Sequence, residues 1–254
     1  MKQLIVFVSL ALGLVFLSFL PKQHAQEPVS VTFEPIAVVE LFTSQGCSSC
    51  PPADRVLSGL VDRSEKKDQA IYALSFHVDY WNYLGWKDPY SDAAYSARQE
   101  QYGESLGIRL YTPQMLVNGQ GAFVGSRKVE AEGRIEKALS KAATVGIKLV
   151  KKAEKPQDML EVNYTLSEYT SGWVLNVALV ERNLKDAVKR GENRGRTLSH
   201  DNVVREFQVL PLKGSSGSIQ IATNSISDRT QTSLITYIQN ESDMKILGAS
   251  KLDL

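Results

Sequence analysis

The chain has no cysteine outside a single pair, Cys47 and Cys50. With no third cysteine, an intramolecular disulfide can only join these two. The composition shows no excess of either charge. Formal net charge is +1, and removal of the first 25 residues takes away Lys2 and Lys22, turning it into −1. A near-neutral chain of this kind gives no reason to expect nucleic acid or an anionic membrane surface as a partner. No stretch is low in complexity, no internal repeat is visible, and no cysteine follows the apolar N-terminal run, which excludes lipid attachment there.

That N-terminal run is the first positive feature. Lys2 supplies a basic start, Leu4 through Leu20 carries no charge, and the polar stretch Pro21-Lys22-Gln23-His24-Ala25 follows. This is the layout of an export signal over residues 1–25. Ala25 suits a cleavage point, although Gln23 is larger than the residue usually found two positions before one. The apolar run is nearly long enough to span a bilayer uncleaved, so a membrane is involved only if the segment is retained. Export to a periplasmic or secreted location would place the cysteines where a disulfide persists or turns over.

The remaining 229 residues (254 less 25) divide by texture. From residue 34 to 145 strands and helices alternate: a continuous apolar strand Ile36–Phe42, a helix over Asp54–Val61, a strand Ala70–Val78 and a helix Asp92–Leu106 stopped by Gly107. A hairpin follows, Met115–Val117 and Ala122–Val124 about Asn118-Gly119, and then a helix Arg127–Ala143 with Ser126 as its cap. After Gly146 only short β-like runs remain: Ile147–Val150, Leu160–Leu166, Trp173–Glu181, Asn202–Leu210, Ser218–Ala222, Ser233–Gln239 and Lys245–Leu252. Their spacing suggests an antiparallel sandwich over 146–254, with a boundary near Val145.

Cys47-Ser48-Ser49-Cys50 directly follows the first buried strand and precedes helix-compatible sequence. A buried strand ending in C-x-x-C is the arrangement of a thiol–disulfide redox site. Chain entropy argues against a structural staple, because so short a loop contributes roughly 2 kcal/mol, against about 4 to 5 for a loop near a hundred residues. Cys47, at or before a helix start, is the candidate nucleophile and Cys50, inside the first turn, the resolving thiol. Pro51 and Pro52 complicate the picture: either the first turn is distorted or the helix starts around Pro52, which would weaken the dipole's effect on Cys47.

Other residues gather around this pair on sequence grounds. Thr112-Pro113, just before the hairpin, is expected to be cis and to pack against the disulfide, although only about 5–6% of X–Pro bonds are cis. If the strand Ala70–Val78 runs parallel to Ile36–Phe42, both end at one sheet edge, which brings His77 and Asp79 near Cys47. His77 would then steady a thiolate, or else be a satisfied core residue. Trp81, Tyr83 and Trp86 either line a groove or, the better fit, cover the core. Glu40 in the first strand either assists proton transfer to Cys50 or, more in keeping with its burial, pairs with an arginine. The loop Arg190-Gly191-Glu192-Asn193-Arg194-Gly195-Arg196 follows no strand-to-helix step, so it reads as a solvated hairpin end and not a phosphate cradle. His200 has no metal-ligand neighbours at useful spacing.

The motif Glu40-Leu41-Phe42-Thr43-Ser44-Gln45-Gly46-Cys47-Ser48-Ser49-Cys50-Pro51-Pro52-Ala53-Asp54, the His77–Pro89 segment and Thr112-Pro113-Gln114-Met115-Leu116-Val117-Asn118-Gly119 together resemble an exported bacterial family with a thioredoxin-like fold, catalogued as a domain of unknown function. The resemblance continues through Arg190–Asn193 and His200–Val204. It implies a thioredoxin-like N-terminal domain, with Cys47 attacking, Cys50 resolving and Pro113 as the cis-proline. It supplies no activity. Glu40 lies one position from the superfamily's usual acid, and Ser48-Ser49 departs from its familiar inner pairs.

The resulting expectation is a thioredoxin-like α/β domain plus an all-β sandwich, acting as a thiol–disulfide oxidoreductase. Its partners would be protein or small-molecule thiols and disulfides, and no cofactor is implied. Two alternatives stand beside it: a copper(I)-handling protein using Cys47, Cys50 and His77, or a binding module whose disulfide is static.

Overall fold

The computed structural model describes residues 32–152 and 158–254. Residues 1–25, expected to form an export signal, lie outside the described residues. Residues 32–254 form one compact unit.

The Ile36–Phe42 run becomes strand β1 (Ala37–Thr43), buried throughout. It lies parallel to β2 (Ile71–His77), with Ala37 opposite Ile71 and Thr43 opposite His77. The crossover between them is helix α1 (Pro51–Lys67), longer than its apolar stripe alone indicates. Helix α2 (Ala93–Leu106) starts at Asp92, whose carboxylate accepts the Ala94 N–H at 2.8 Å, and ends at Gly107 with φ 63°. Strand β3 (Gln114–Val117) flanks β1 on its other side, antiparallel, and turns into β4 (Gln120–Val124). The turn residues Asn118 and Gly119 have φ 50° and 69°, the paired positive angles that a tight hairpin needs. Helix α3 (Lys128–Leu139) is shorter than expected. Arg127, not Ser126, occupies its cap position, and no side chain caps it.

The second half contributes β5 (Ile147–Lys151), β6 (Met159–Leu166), β7 (Trp173–Glu181), β8 (Leu184–Ala187), β9 (Thr197–His200), β10 (Val203–Pro211), β11 (Ser216–Ala222), β12 (Thr232–Asn240) and β13 (Ile246–Asp253). Here the expected boundary near Val145 gives way. Strands β13, β12, β7 and β10 join the first-half strands in one eight-stranded mixed sheet, ordered β13-β12-β7-β10-β2-β1-β3-β4. The joint is the outer edge of β2, whose backbone groups would otherwise lack partners. Ser75 N–H donates to the Asn202 carbonyl at 2.9 Å, and the Asn202 side-chain amide donates to the Ala73 carbonyl at 2.8 Å. The change in texture near residue 145 therefore marks a change in local pattern, not a gap between packed units.

A two-layer β arrangement does form. The separate sheet β11-β6-β5 lays Leu160, Val162, Leu166, Ile219 and Ile221 on Leu175, Val177 and Leu179 of β7 and on Leu234 and Ile238 of β12. The alternation along β1 sorts the other two cores. Ala37, Val39 and Leu41 face α1 and α3, while Val38 and Phe42 face α2. Glu40 falls on the α2 side by the same period. There it meets Arg98, whose Nε donates to its Oε1 at 2.7 Å, and the hydroxyls of Tyr102 and Tyr237. Arg98 also reaches Gln239 Oε1 at 3.2 Å. Glu40 is 0% exposed and Arg98 3%, so the reading of Glu40 as an arginine-paired residue holds. A proton-transfer role toward Cys50 does not: its carboxylate is spent on α2 and β12.

Arg98→Met leaves Glu40 buried without its cation. Urea denaturation should show a loss of about 3–5 kcal/mol. A loss below about 1 kcal/mol would contradict the assigned weight of this pair.

Candidate functional site around the Cys47–Cys50 disulfide

Strand β1 ends at Thr43, and the chain turns through Ser44-Gln45-Gly46 before the cysteines. Gly46 N–H donates to Ser44 Oγ at 3.0 Å, and Cys47 N–H to the Ser44 carbonyl at 3.2 Å. A Cβ on Gly46 would lie 2.9 Å from Trp81 Cβ, so glycine lets the aromatic segment close over the turn. Cys47 and Cys50 are joined, with their Cα atoms 5.5 Å apart.

Helix α1 begins at Pro51, directly after Cys50. Proline costs nothing at this place, since its missing N–H would have no partner within the helix. Cys50 is therefore the N-cap residue and not a member of the first turn, which corrects the expected position. Its carbonyl accepts the Ala53 and Asp54 N–H groups at 2.8 and 3.1 Å. Cys47 sits three residues further out. Residue exposure is 1% for Cys47 and 0% for Cys50, although Ser48 and Ser49 between them are exposed.

Thr112-Pro113 is cis. The Thr112 carbonyl accepts Ser49 Oγ at 3.5 Å, and its hydroxyl accepts Trp81 Nε1–H at 2.8 Å. Ser49 Oγ in turn lies 3.3 Å from Cys47 Sγ. Thr112, Trp81 and the disulfide loop are thus one packed group. Asp79 is tied instead to Ser96 of α2. Trp86 is half-buried and bonded to Gln45, whereas Tyr83 is 79% exposed and covers no core.

Beneath the loop lies a buried polar seam that spacing alone does not indicate. Gln45 is its hub. Its backbone N–H donates to Asp88 Oδ2 at 2.7 Å, and its Oε1 accepts Trp86 Nε1–H at 2.9 Å. Its Nε2 donates to Asp186 Oδ2 at 2.9 Å and lies 3.3 Å from His200 Nε2. Since that amide can only donate, it assigns His200 Nε2 as acceptor and leaves the imidazole proton on Nδ1. His200 Nδ1 is 3.6 Å from Asp54 Oδ2, and Asp54 Oδ1 accepts the Thr43 hydroxyl at 2.8 Å. The His77 and His200 rings meet edge to face, centroids 4.8 Å apart. His77 Nδ1 is 2.7 Å from Asp88 Oδ2, while among the described residues His77 Nε2 and His200 Nδ1 have no hydrogen-bond partner.

These environments separate the charges. Burial drives the Asp54 carboxyl up to about 7, against the opposing influences of His77 and the Thr43 hydroxyl. Burial and the neighbouring His77 push His200 down to about 3 and keep it neutral. For His77, burial opposes the charge, but the touching Asp88 carboxylate wins and raises its pKa. Asp88 also pays desolvation, yet His77 and the Gln45 and Tyr90 N–H groups hold it below the usual carboxylate range. Asp54 stands one helical turn after Cys50, a spacing that puts side chains about 5–6 Å apart. Its i+4 relation to Cys50 was visible in the sequence; the convergence of His200, Asp88 and Gln45 was not.

The loop 190–196 is the hairpin end expected and is largely exposed, but one of its residues is not solvated. It connects β8 to β9, and Asn193, 0% exposed, donates its amide to the Gln45 and Cys47 carbonyls, each at 2.9 Å. Glu192 accepts the Ser48 N–H at 2.9 Å. Among the described residues, no three His, Cys, Asp or Glu side chains are placed to hold a metal ion.

A family model covers residues 38–239, from β1 into β12 and so across the joint at β2. The chain belongs to the family described as "Protein of unknown function (DUF1223)". No curated protein matches it. The crystal structure of a protein from Agrobacterium tumefaciens is 30% identical, with a TM-score of 0.63 over 87% of this chain and 96% of its own. HBP35 of Porphyromonas gingivalis has a TM-score of 0.64 at 16% identity, over 88% of this chain and 76% of its own, a likeness of fold alone.

The titration of Asp54 has a definite sign. The folded chain keeps its proton up to about pH 7, while the unfolded chain loses it near 3.8. Between those values the folded state binds more protons, so the Asp54 contribution to stability falls as pH rises. His200 acts oppositely, its contribution being lost as pH falls below the ordinary 6.5, but it is present in both proteins compared. The melting temperature of Asp54→Asn minus that of wild type should therefore increase from about pH 4 to about pH 7. A flat or shrinking difference would contradict the buried, proton-holding carboxyl.

Proposed function

We propose that this is an exported, thioredoxin-like protein that exchanges thiols and disulfides through Cys47 and Cys50. The single observation that carries the reading is the formed Cys47–Cys50 disulfide at the end of β1 and the start of α1, one helical turn from a buried carboxyl poised near 7. The strand order β2-β1-β3-β4, with α1 crossing between parallel strands and a cis-proline before β3, supports the thioredoxin-like part. The apolar run Leu4–Leu20 after Lys2 supports export to the periplasm or beyond.

In this reading a substrate thiolate attacks Cys47 Sγ. The Cys47–Cys50 bond breaks, a mixed disulfide forms on Cys47, and the Cys50 thiolate takes the proton held by Asp54. A second substrate thiolate then attacks its own sulfur in the mixed disulfide and releases Cys47. Two electrons pass from the substrate dithiol to the pair. The reverse sequence uses ionised Asp54 to accept the Cys50 proton, and the potential decides the direction.

Burial of both sulfurs favours a second reading, a binding module with a static disulfide. A copper(I) site is less well supported, since both sulfurs are committed to each other and His77 to Asp88.

Reduced Cys50→Ala treated with glutathione disulfide separates the first two. Mass spectrometry should find a stable glutathione adduct on Cys47, while reduced wild type should resolve it and close Cys47–Cys50. If the variant gains no adduct under conditions that modify an unfolded thiol, the static reading stands.

A further inference from the structure

The eight-stranded sheet brings the β8–β9 hairpin over the disulfide, and its tip is built in an unusual way. From Lys189 to Thr197 every residue is exposed except Gly191, half-buried, and Asn193, which is fully buried. One side chain thus pins an otherwise solvated tip. Its amide nitrogen bridges the Gln45 and Cys47 carbonyls at 2.9 Å each, and Arg196 Nη1 donates to its oxygen at 2.8 Å. Glu192, fully exposed, adds only the bond from Ser48 N–H at 2.9 Å.

Around this pin the backbone bends at glycine on both sides. Gly191 has φ 73° and Gly195 φ 78°, and no atom outside the immediate chain lies within 4 Å of a Cβ placed on Gly195. The stem is firmer. Val188 and Leu198 are buried, Val188 N–H donates to the Arg196 carbonyl at 2.9 Å, and Asp186 and His200 hold Gln45. A firm stem, glycine bends and one buried polar anchor give a tip that can leave without unfolding the sheet. The partners of the anchor are the Gln45 and Cys47 carbonyls of the cysteine loop itself, so its departure frees that loop directly.

We propose that residues 190–196 form a latched cover over Cys47, with Asn193 as the latch, and that thiol exchange proceeds from the uncovered state. The proposal rests on the thiol–disulfide reading for its purpose, not for its geometry. Its step is opening, which makes and breaks hydrogen bonds only. The exchange that follows breaks the Cys47–Cys50 bond, with two electrons and two protons arriving from a dithiol.

Dithiothreitol serves as that dithiol, closing to its cyclic disulfide as Cys47 and Cys50 become thiols. The rate of reduction is read on the full chain by quenching with an alkylating agent, with the melting temperature measured alongside. Asn193→Ala should be reduced about tenfold faster than wild type, having lost both latch bonds. Arg196→Ala, an exposed change that keeps the buried amide, should be reduced about threefold faster and guards against misfolding of the first variant. Lys189→Ala should match wild type. Equal or slower reduction of both Asn193→Ala and Arg196→Ala would overturn the cover. Faster reduction of both, with no glutathione adduct on Cys50→Ala, would keep the cover and reject the exchange reading. Ready adduct formation without any acceleration would do the reverse.

Discussion

The joint between β2 and β10 is the constraint from which the remaining architecture follows. It is short in register, with Val203 opposite Ser75, and Asn202 completes it from both its backbone and its side chain. Without it the first-half strands would end in an open edge at β2, and the second half would be a neighbour instead of a continuation. With it, the β8–β9 hairpin immediately before β10 is held where β1 and β2 end. His200, Asp186 and Asn193 reach Gln45 and Cys47 because two residues further on the chain is fixed to the sheet. The Glu40–Arg98 pair steadies the same union from the α2 side, drawing on Tyr237 and Gln239 of β12.

The site that results differs from an exposed redox pair. Its disulfide lies under a loop, against a polar seam in which many buried groups bond one another. Gln45 satisfies partners from three segments, Asp88 raises the pKa of His77 against the opposing effect of burial, and His200 stays neutral. Among the described residues Asp54 accepts one short hydrogen bond, from Thr43, and burial dominates its titration. A carboxyl left partly unpaired beside a disulfide costs stability, and such local costs are characteristic of sites where a proton must move.

Much of this was legible in the sequence, and the failures have physical causes. The C-x-x-C after a buried run, the Asn-Gly hairpin, the helix start at Asp92 and the stop at Gly107 rest on local chemistry and were readable. So was the cis Thr112-Pro113, though only in combination with its neighbours. Glu40 was readable as a residue needing a cation, but its partner lies 58 positions away. The boundary near Val145 failed because a change from mixed to all-β pattern does not reveal which strands share hydrogen bonds. Strands β8 and β9 were missed since they are four residues each and half exposed. Asn193 was misjudged because its flanking Arg, Glu and Gly residues are solvated, and one buried amide leaves no periodic signal.

The equilibrium reduction potential of the Cys47–Cys50 pair tests the central claim most directly. Equilibration of the full chain against dithiothreitol or glutathione buffers, with both thiols counted at each point, gives that value without reference to rate or cover. A pair that works in exchange should lie above about −300 mV and reach the same value from both the oxidised and the reduced side. A value well below about −300 mV, beyond the reach of the glutathione couple, would identify a structural disulfide and contradict the account.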